Sequence, residues 1–139
     1  MLLRAGHPLR TAGIDLKAFT AASHVLVSPL GQAMHASVDE ALAALGLSRQ
    51  VKLAVSSFWS AALLVTRSDL LATVPARFAA VACEALDLAL LPLPLDLPRM
   101  TLSMIWEEAR HGDPAHAWLR GLVLEAFSKD HENSTRATA

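Results

Sequence analysis

Along this chain the apolar residues fall into short runs, each followed by apolar positions at helical spacing, and that rhythm predicts a series of β-α units. The clearest passage is Leu70-Leu71-Ala72-Thr73-Val74-Pro75-Ala76-Arg77. Its continuous apolar run, residues 70–74, reads as a buried central strand. Pro75 then falls in the first helical turn, where its missing N–H has no partner to lose. The following helix is expected to turn Phe78, Val81, Ala82 and Leu86 to one face. Upstream, His24-Val25-Leu26-Val27 reads as a strand, and Ser28-Pro29-Leu30-Gly31 turns the chain. Ser37 and Glu40 form a capping box, Val38, Ala41, Leu42 and Leu45 recur at helical spacing, and Gly46 ends that helix. Residues 50–55 alternate, with Val51, Leu53 and Val55 expected inward and Lys52 outward. Ser56-Ser57 can cap a helix over residues 58–66, and residues 88–91 make a fourth strand before Pro92, Pro94 and Pro98 lead the chain away. Units of this kind build a parallel sheet whose helix N-termini open on one edge, where small ligands are held.

The flanks are less regular. Residues 4–13 carry Gly6, Pro8 and Gly13 and read as a connecting segment, and residues 14–22 as a short helix with Asp15 at its start. Residues 100–106 alternate as a strand would, with Met100, Leu102, Met104 and Trp106 on one side. Asp113 caps a last helix that Pro114 opens, with Trp118, Leu119, Leu122, Val123 and Ala126 along its apolar stripe. From Ser128 the residues are polar and unpatterned, as in a disordered tail. Four strands and three helices in residues 23–91 can close a three-layer unit. The last strand and helix cannot, so the chain reads as one complete subdomain and part of another. The remainder would come from other residues or from a second copy by domain swapping.

Composition narrows the classes. At 139 residues the chain can bury one sizeable core, and with 53% apolar and 18% charged residues it has apolar surface to spare for a subunit or a neighbouring segment. A net charge of −1 supplies no broad basic face, so the chain itself is not expected to grip DNA. The single cysteine, Cys83, allows no internal disulfide and suits a reducing compartment as a small buried hydrophobe. No secretory signal opens the sequence, and the most apolar stretch, residues 58–65, is too short to span a bilayer; a cytoplasmic location is expected, with no membrane partner. Of the six histidines, His111 and His116 are five apart with no third ligand near, and His24 reads as a partly exposed edge residue, so no metal is expected. Neither Gly-x-Ser-x-Gly nor Gly-x-Gly-x-x-Gly occurs, which argues against hydrolase chemistry and a phosphate loop. No enzyme activity and no cofactor are expected.

Several short pieces, taken in order, carry a family resemblance. They are Arg4-Ala5-Gly6-His7-Pro8-Leu9, His24-Val25-Leu26-Val27-Ser28, Val38-Asp39-Glu40-Ala41-Leu42, and Asp69-Leu70-Leu71-Ala72-Thr73-Val74-Pro75 with Arg77. Trp106 then precedes Asp113-Pro114-Ala115-His116 and Trp118-Leu119-Arg120. Together they resemble the effector-binding region of LysR-type bacterial transcriptional regulators, an α/β fold of the periplasmic-binding-protein-like type 2. Leu71 to Pro75 and Met104-Ile105-Trp106 look most like the nodulation and aromatic-catabolism subgroup. The resemblance implies a winged helix-turn-helix and linker helix elsewhere, and two subdomains clasping a small effector. By it, residues 23–96 are the whole second subdomain, 1–22 and 97–127 parts of the first, and 128–139 a tail. It also implies a homo-oligomer, a dimer or domain-swapped dimer, that meets DNA only through the winged helix.

On that reading Ser28, Ser56 and Ser57 lie at the lip of an effector cleft, each with a hydroxyl beside free backbone N–H groups suited to a carboxylate. Ordinary N-capping is the competing role. Phe58 and Trp59 would supply an aromatic wall, against the simpler alternative of core packing, and His35 lies in a loop close by. The leading expectation is an effector-sensing and oligomerisation domain for a small ligand, with an aromatic acid as the candidate class. The alternatives are a ligand-independent subunit-pairing module and a small α/β enzyme.

Overall fold

The computed structural model describes residues 1–28, 37–98 and 102–136, with side chains through residue 127. It divides into two units, Met1–Arg99 and Met100–Ala139, each taken by itself below. The first unit is a three-layer α/β sandwich on one five-stranded sheet. Its strands are β1 (Leu2–Arg4), β2 (Ser23–Val27), β3 (Gln50–Val55), β4 (Leu71–Ala72) and β5 (Leu88–Leu90), in the order β3-β2-β4-β1-β5. β2 runs parallel to β3 and to β4, while β1 is antiparallel to both β4 and β5. The four strands expected in parallel thus share one direction, and the additional strand runs against them.

That additional strand corrects the expected division. Leu2 lies opposite both Ala72 and Leu90, so β1 sits inside the sheet, and residues 1–22 belong with the strands of residues 23–96. Among the described residues β5 is joined to the sheet through β1 alone, so the strands of residues 23–91 do not close the unit without it. Residues 4–13 are not a bare connection either: β1 ends at Arg4 and a short helix, α1 (Leu9–Ala12), follows.

The continuous apolar runs arise because both faces of the sheet are covered. Leu2, Val25, Ala72 and Leu88 face α4 (Phe58–Thr66) and α5 (Ala76–Ala85), where Ala61, Ala62, Val65, Ala79 and Ala82 allow close approach. Leu3 and Leu71 face the other way, against Phe19 of α2 (Leu16–Ala21) and Val38 and Leu42 of α3 (Ser37–Ala44). Asp15 caps α2 through a 2.7 Å bond from the Ala18 N–H. Gly46, at φ +69°, stops α3 while the Leu47 N–H reaches back to the Leu42 carbonyl at 2.9 Å. Leu91, Leu93, Leu95 and Leu97 of the proline-rich exit pack on this second face.

Three side-chain expectations and one strand length fail for local reasons. Val81 is exposed, because Ala79 and Ala82 form the buried line of α5. Leu53 is 42% exposed: β3 is an edge strand, and its register slips at Lys52, so Val25 lies opposite Leu53 instead of Lys52. His24 is not an edge residue but is fully buried in the second strand of the order, between β3 and β4. The run 70–74 contributes only two residues to β4.

In the second unit the alternating segment forms no strand over residues 102–106, and Met100 and Thr101 lie outside the described residues. Without a partner ladder its apolar residues stay open, Ile105 at 91%. A 3-10 turn, Glu108–Arg110, leads to α6 (Pro114–Arg136). α6 overruns the expected tail by continuing through residues 128–136, a stretch with no proline or glycine to stop it. Its stripe is uncovered: Trp118 is 67% exposed, and Leu119 and Leu122 are exposed beside it.

Candidate functional site

The parallel strands β2 and β3 end level with each other, and β4 runs beside β2 toward the same end of the sheet. Val27 lies opposite Val55, and the Ser28 N–H donates to the Val55 carbonyl at 2.8 Å, so Ser28 and Ser56 follow neighbouring strand ends. Ser28 is buried, whereas Ser56 and Ser57 are exposed. Ser57 takes the N-cap position of α4: its Oγ accepts from the Ser60 N–H at 3.1 Å and lies 3.1 Å from the Ser60 Oγ. The capping role is therefore occupied, while one further hydrogen-bonding position remains on the hydroxyl. His35 lies outside the described residues.

The aromatic residues gather beside this edge. Phe58 and Phe78 have ring centroids 5.4 Å apart, and Trp59 meets Phe78 edge-on at 5.1 Å. Trp59 keeps 45% of its surface open. Phe78, expected on one helix face with Ala82 and Leu86, packs against the core and is also the third member of this aromatic group. The signal was Pro75, which starts α5 and so sets Phe78 in its first turn, beside the first turn of α4. Thr73, just after β4, is a second residue that the pattern did not single out. Its Oγ1 is buried with no hydrogen-bond partner among the described residues.

Titratable chemistry here is sparse. Burial pushes the Cys83 thiol up, away from a reactive thiolate. The Met1 nitrogen donates to the Leu91 carbonyl at 3.0 Å. Among the described residues no group of three His, Cys, Asp or Glu side chains is placed to hold a metal ion. A separate open recess, lined by Leu9, Ala12, Gly13, Ile14, Asp15 and Ala18, includes none of the predicted residues. No helix of the described residues is long and apolar enough to cross a membrane.

The second unit holds its own polar knot. Asp113 caps α6 by accepting from the Ala115 and His116 N–H groups at 2.9 and 3.3 Å. The bonds from His116 and then Ala115 hold its carboxyl below the usual range. Arg120 lies 4.7 Å over the Trp106 ring and donates to His116 Nδ1 at 2.8 Å and to the His111 carbonyl at 2.9 Å. The His111 ring stacks on Trp106 with centroids 6.0 Å apart. The knot fastens the connection ahead of α6 to its first turns.

Comparison with known proteins gives a consistent result. The pattern of the LysR substrate binding domain matches residues 1–128. The HTH-type transcriptional activator NahR of Pseudomonas putida is 35% identical over 127 residues, covering 91% of this chain and 42% of NahR. Nodulation protein D 1 of Rhizobium tropici is 33% identical over 84 residues, 60% of this chain and 27% of that protein. The regulatory domain of MexT, a transcriptional activator in Pseudomonas aeruginosa, superposes with a TM-score of 0.74 at 34% identity, over 88% of this chain and 58% of that one. The chain thus spans about two-fifths of the length of its first curated relative, NahR.

Proposed function

This chain belongs to the LysR substrate binding domain family, and on that footing we propose that it senses a small effector and pairs subunits for a regulator that contacts DNA through a separate winged helix-turn-helix. The single observation that carries the sensing role is the sheet edge where Ser28, Ser56 and Ser57 stand beside Phe58, Trp59 and Phe78. Hydroxyls and N–H groups suit a carboxylate, and open aromatic faces suit a flat ring, so an aromatic acid is the class we favour. His35 completes the proposed set. The role asks for no cofactor, metal or catalysis, and we place it in the cytoplasm.

In this reading residues 1–96 form one jaw of the effector cleft. The other jaw comes from the rest of the full-length regulator, and the exposed stripe of Trp118, Leu119 and Leu122 is a surface that other parts of it cover. Effector binding acts by favouring one arrangement of the jaws over another. Calorimetric titration of the full-length regulator with benzoate-like acids tests it. Saturable binding that Trp59→Ala weakens supports the role; no binding, and no effect of any small acid on promoter occupancy, ends it.

A second reading, a subunit-pairing module without a ligand, draws on one specific feature. The edge strand β3 leaves Leu53 open, and Leu45 and Leu47 just before it are also exposed, an apolar margin suited to a second copy. Light scattering tests the pairing itself, against which a stable monomer argues, and the calorimetric titration separates the two readings.

A further inference from the structure

His24 has surroundings that no effector role explains. It is fully buried, with Nε2 2.8 Å from the Phe19 carbonyl and its ring edge-on to the Phe19 ring at 4.6 Å. A carbonyl can only accept, so Nε2 carries the hydrogen and Nδ1 is left with a lone pair. Nδ1 is buried and has no partner among the described residues. On the same side of the sheet Arg49 grips both carboxylate oxygens of Asp39 at 2.8 Å, its own side chain only 2% exposed. These groups tie together the C-terminal half of α2, β2, the first turn of α3 and the entrance to β3.

The charged groups around the imidazole are few. Arg49 and Asp39 act on it from the β3 entrance and from α3. Asp15 and Lys17 of the α2 segment, Glu40 of α3 and Lys52 of β3 are all exposed, and β4 presents the apolar Leu71 opposite His24.

We propose that His24 is a proton-operated latch: neutral, it fastens α2 to β2, and a proton arriving at Nδ1 loosens the α2–α3 face of the sheet while the α4–α5 face stays closed. An imidazolium carries two N–H donors, and only one has an acceptor here. The second would lie unpaired in the interior, with Asp39 already engaged by Arg49 and the guanidinium repelling the added charge. The opposite face offers acid no such handle, since its cluster is built from Leu2, Val25, Val65, Leu88 and small alanines. His24 lies near the start of β2, the strand that Ser28 follows, so loosening its cover bears directly on how that strand end is held.

Titration supports the direction. Burial first of all holds the imidazole below its ordinary value, with Arg49 adding to the effect and the Phe19 carbonyl and Asp39 opposing it. The unfolded chain takes up the proton at about pH 6.5, the native one only at lower pH. Between those points the unfolded state binds more protons, so stability falls as the pH drops through the window and is fully present above it.

Amide hydrogen exchange of the whole chain, corrected for intrinsic rates, tests the latch between about pH 7.5 and about pH 4.5, above most carboxylate titration. Protection in α2 and α3 should fall by up to about tenfold per pH unit inside the window, as one linked proton requires, while α4 and α5 change far less. His24→Gln keeps an N–H for the Phe19 carbonyl and takes no proton, so its profile should be flat. Nitrogen NMR of the wild-type ring provides the second measurement. It should show hydrogen on Nε2 at neutral pH and a midpoint coinciding with the loosening, whether or not the variant folds. Equal acid responses in wild type and variant, hydrogen on Nδ1 at neutral pH, or joint loosening of both faces would overturn the proposal.

Discussion

Arg4 and Asp69, 65 residues apart, are joined by Nε and Nη2 both lying 2.7 Å from one carboxylate oxygen. The pair ties the end of β1 to the approach to β4, and His7 Nε2 adds a contact to the Asp69 carbonyl at 3.2 Å. Two short motifs that are individually weak in the sequence are thus one structural feature.

Its energetic weight is small, because the Asp69 side chain is 65% exposed. A double-mutant cycle with Arg4→Met and Asp69→Asn should give a coupling below about 1 kcal/mol, shrinking as salt is raised. Gly6→Ala is expected to mimic Arg4→Met in urea unfolding, because a Cβ at Gly6 would meet Arg4 Nη1 at 2.8 Å and displace the flexible end of that side chain.

Leu42 and Leu53 both stand at periodic apolar positions, and the structure separates them. Leu42→Ala removes a fully buried side chain from the α2–α3 face and should cost about 2–5 kcal/mol in urea unfolding. Leu53→Ala, on the slipped edge strand, should lie within about 0.5 kcal/mol of wild type. Similar losses for the two would contradict the register described for β3.

Ser57 has a capping role and a proposed effector role, and they predict different outcomes. Ser57→Ala should lower stability by about 1 kcal/mol through the cap of α4. Ser57→Asp restores the cap but sets a negative charge at the sheet edge. Stability should recover in Ser57→Asp while affinity for an aromatic acid falls further, by calorimetry on the full-length regulator.

Arg120 should be recognisable through Trp106. With Trp59 and Trp118 replaced by Phe, Arg120→Ala should shift the remaining tryptophan emission to the red and raise its quenching by acrylamide. The stacking and the fork of donors belong to a guanidinium, so Arg120→Lys should not restore the wild-type spectrum. An unchanged spectrum in Arg120→Ala would remove the knot from the account.

What could be read from the pattern was local. Asp15, Gly46, Ser57 and Asp113 each announced a helix end because capping depends on a few neighbouring residues. The strand-end serines followed from the same rule, since a cap after a strand marks the sheet edge. What escaped the sequence was non-local. Met1-Leu2-Leu3 is too short to show a period, and its partners lie near residues 72 and 90. Residues 102–106 alternate convincingly, but a strand exists only where a second backbone accepts its bonds. His24 carries no mark of burial in the linear chain; the carbonyl that receives its hydrogen belongs to a helix five residues earlier. Phe78 was seen as apolar, and only the meeting of two helix starts gave it a place beside the candidate site.

The position of β1 has a consequence for any shortening of this protein. Adjacent strands stand about 4.8 Å apart, so trimming the first four residues would leave β4 and β5 facing each other across a gap of about 10 Å. Such a cut removes a keystone, not a fringe. Leu2 also has to wait for its neighbours, because Ala72 and Leu90 must both be made before it can settle between them.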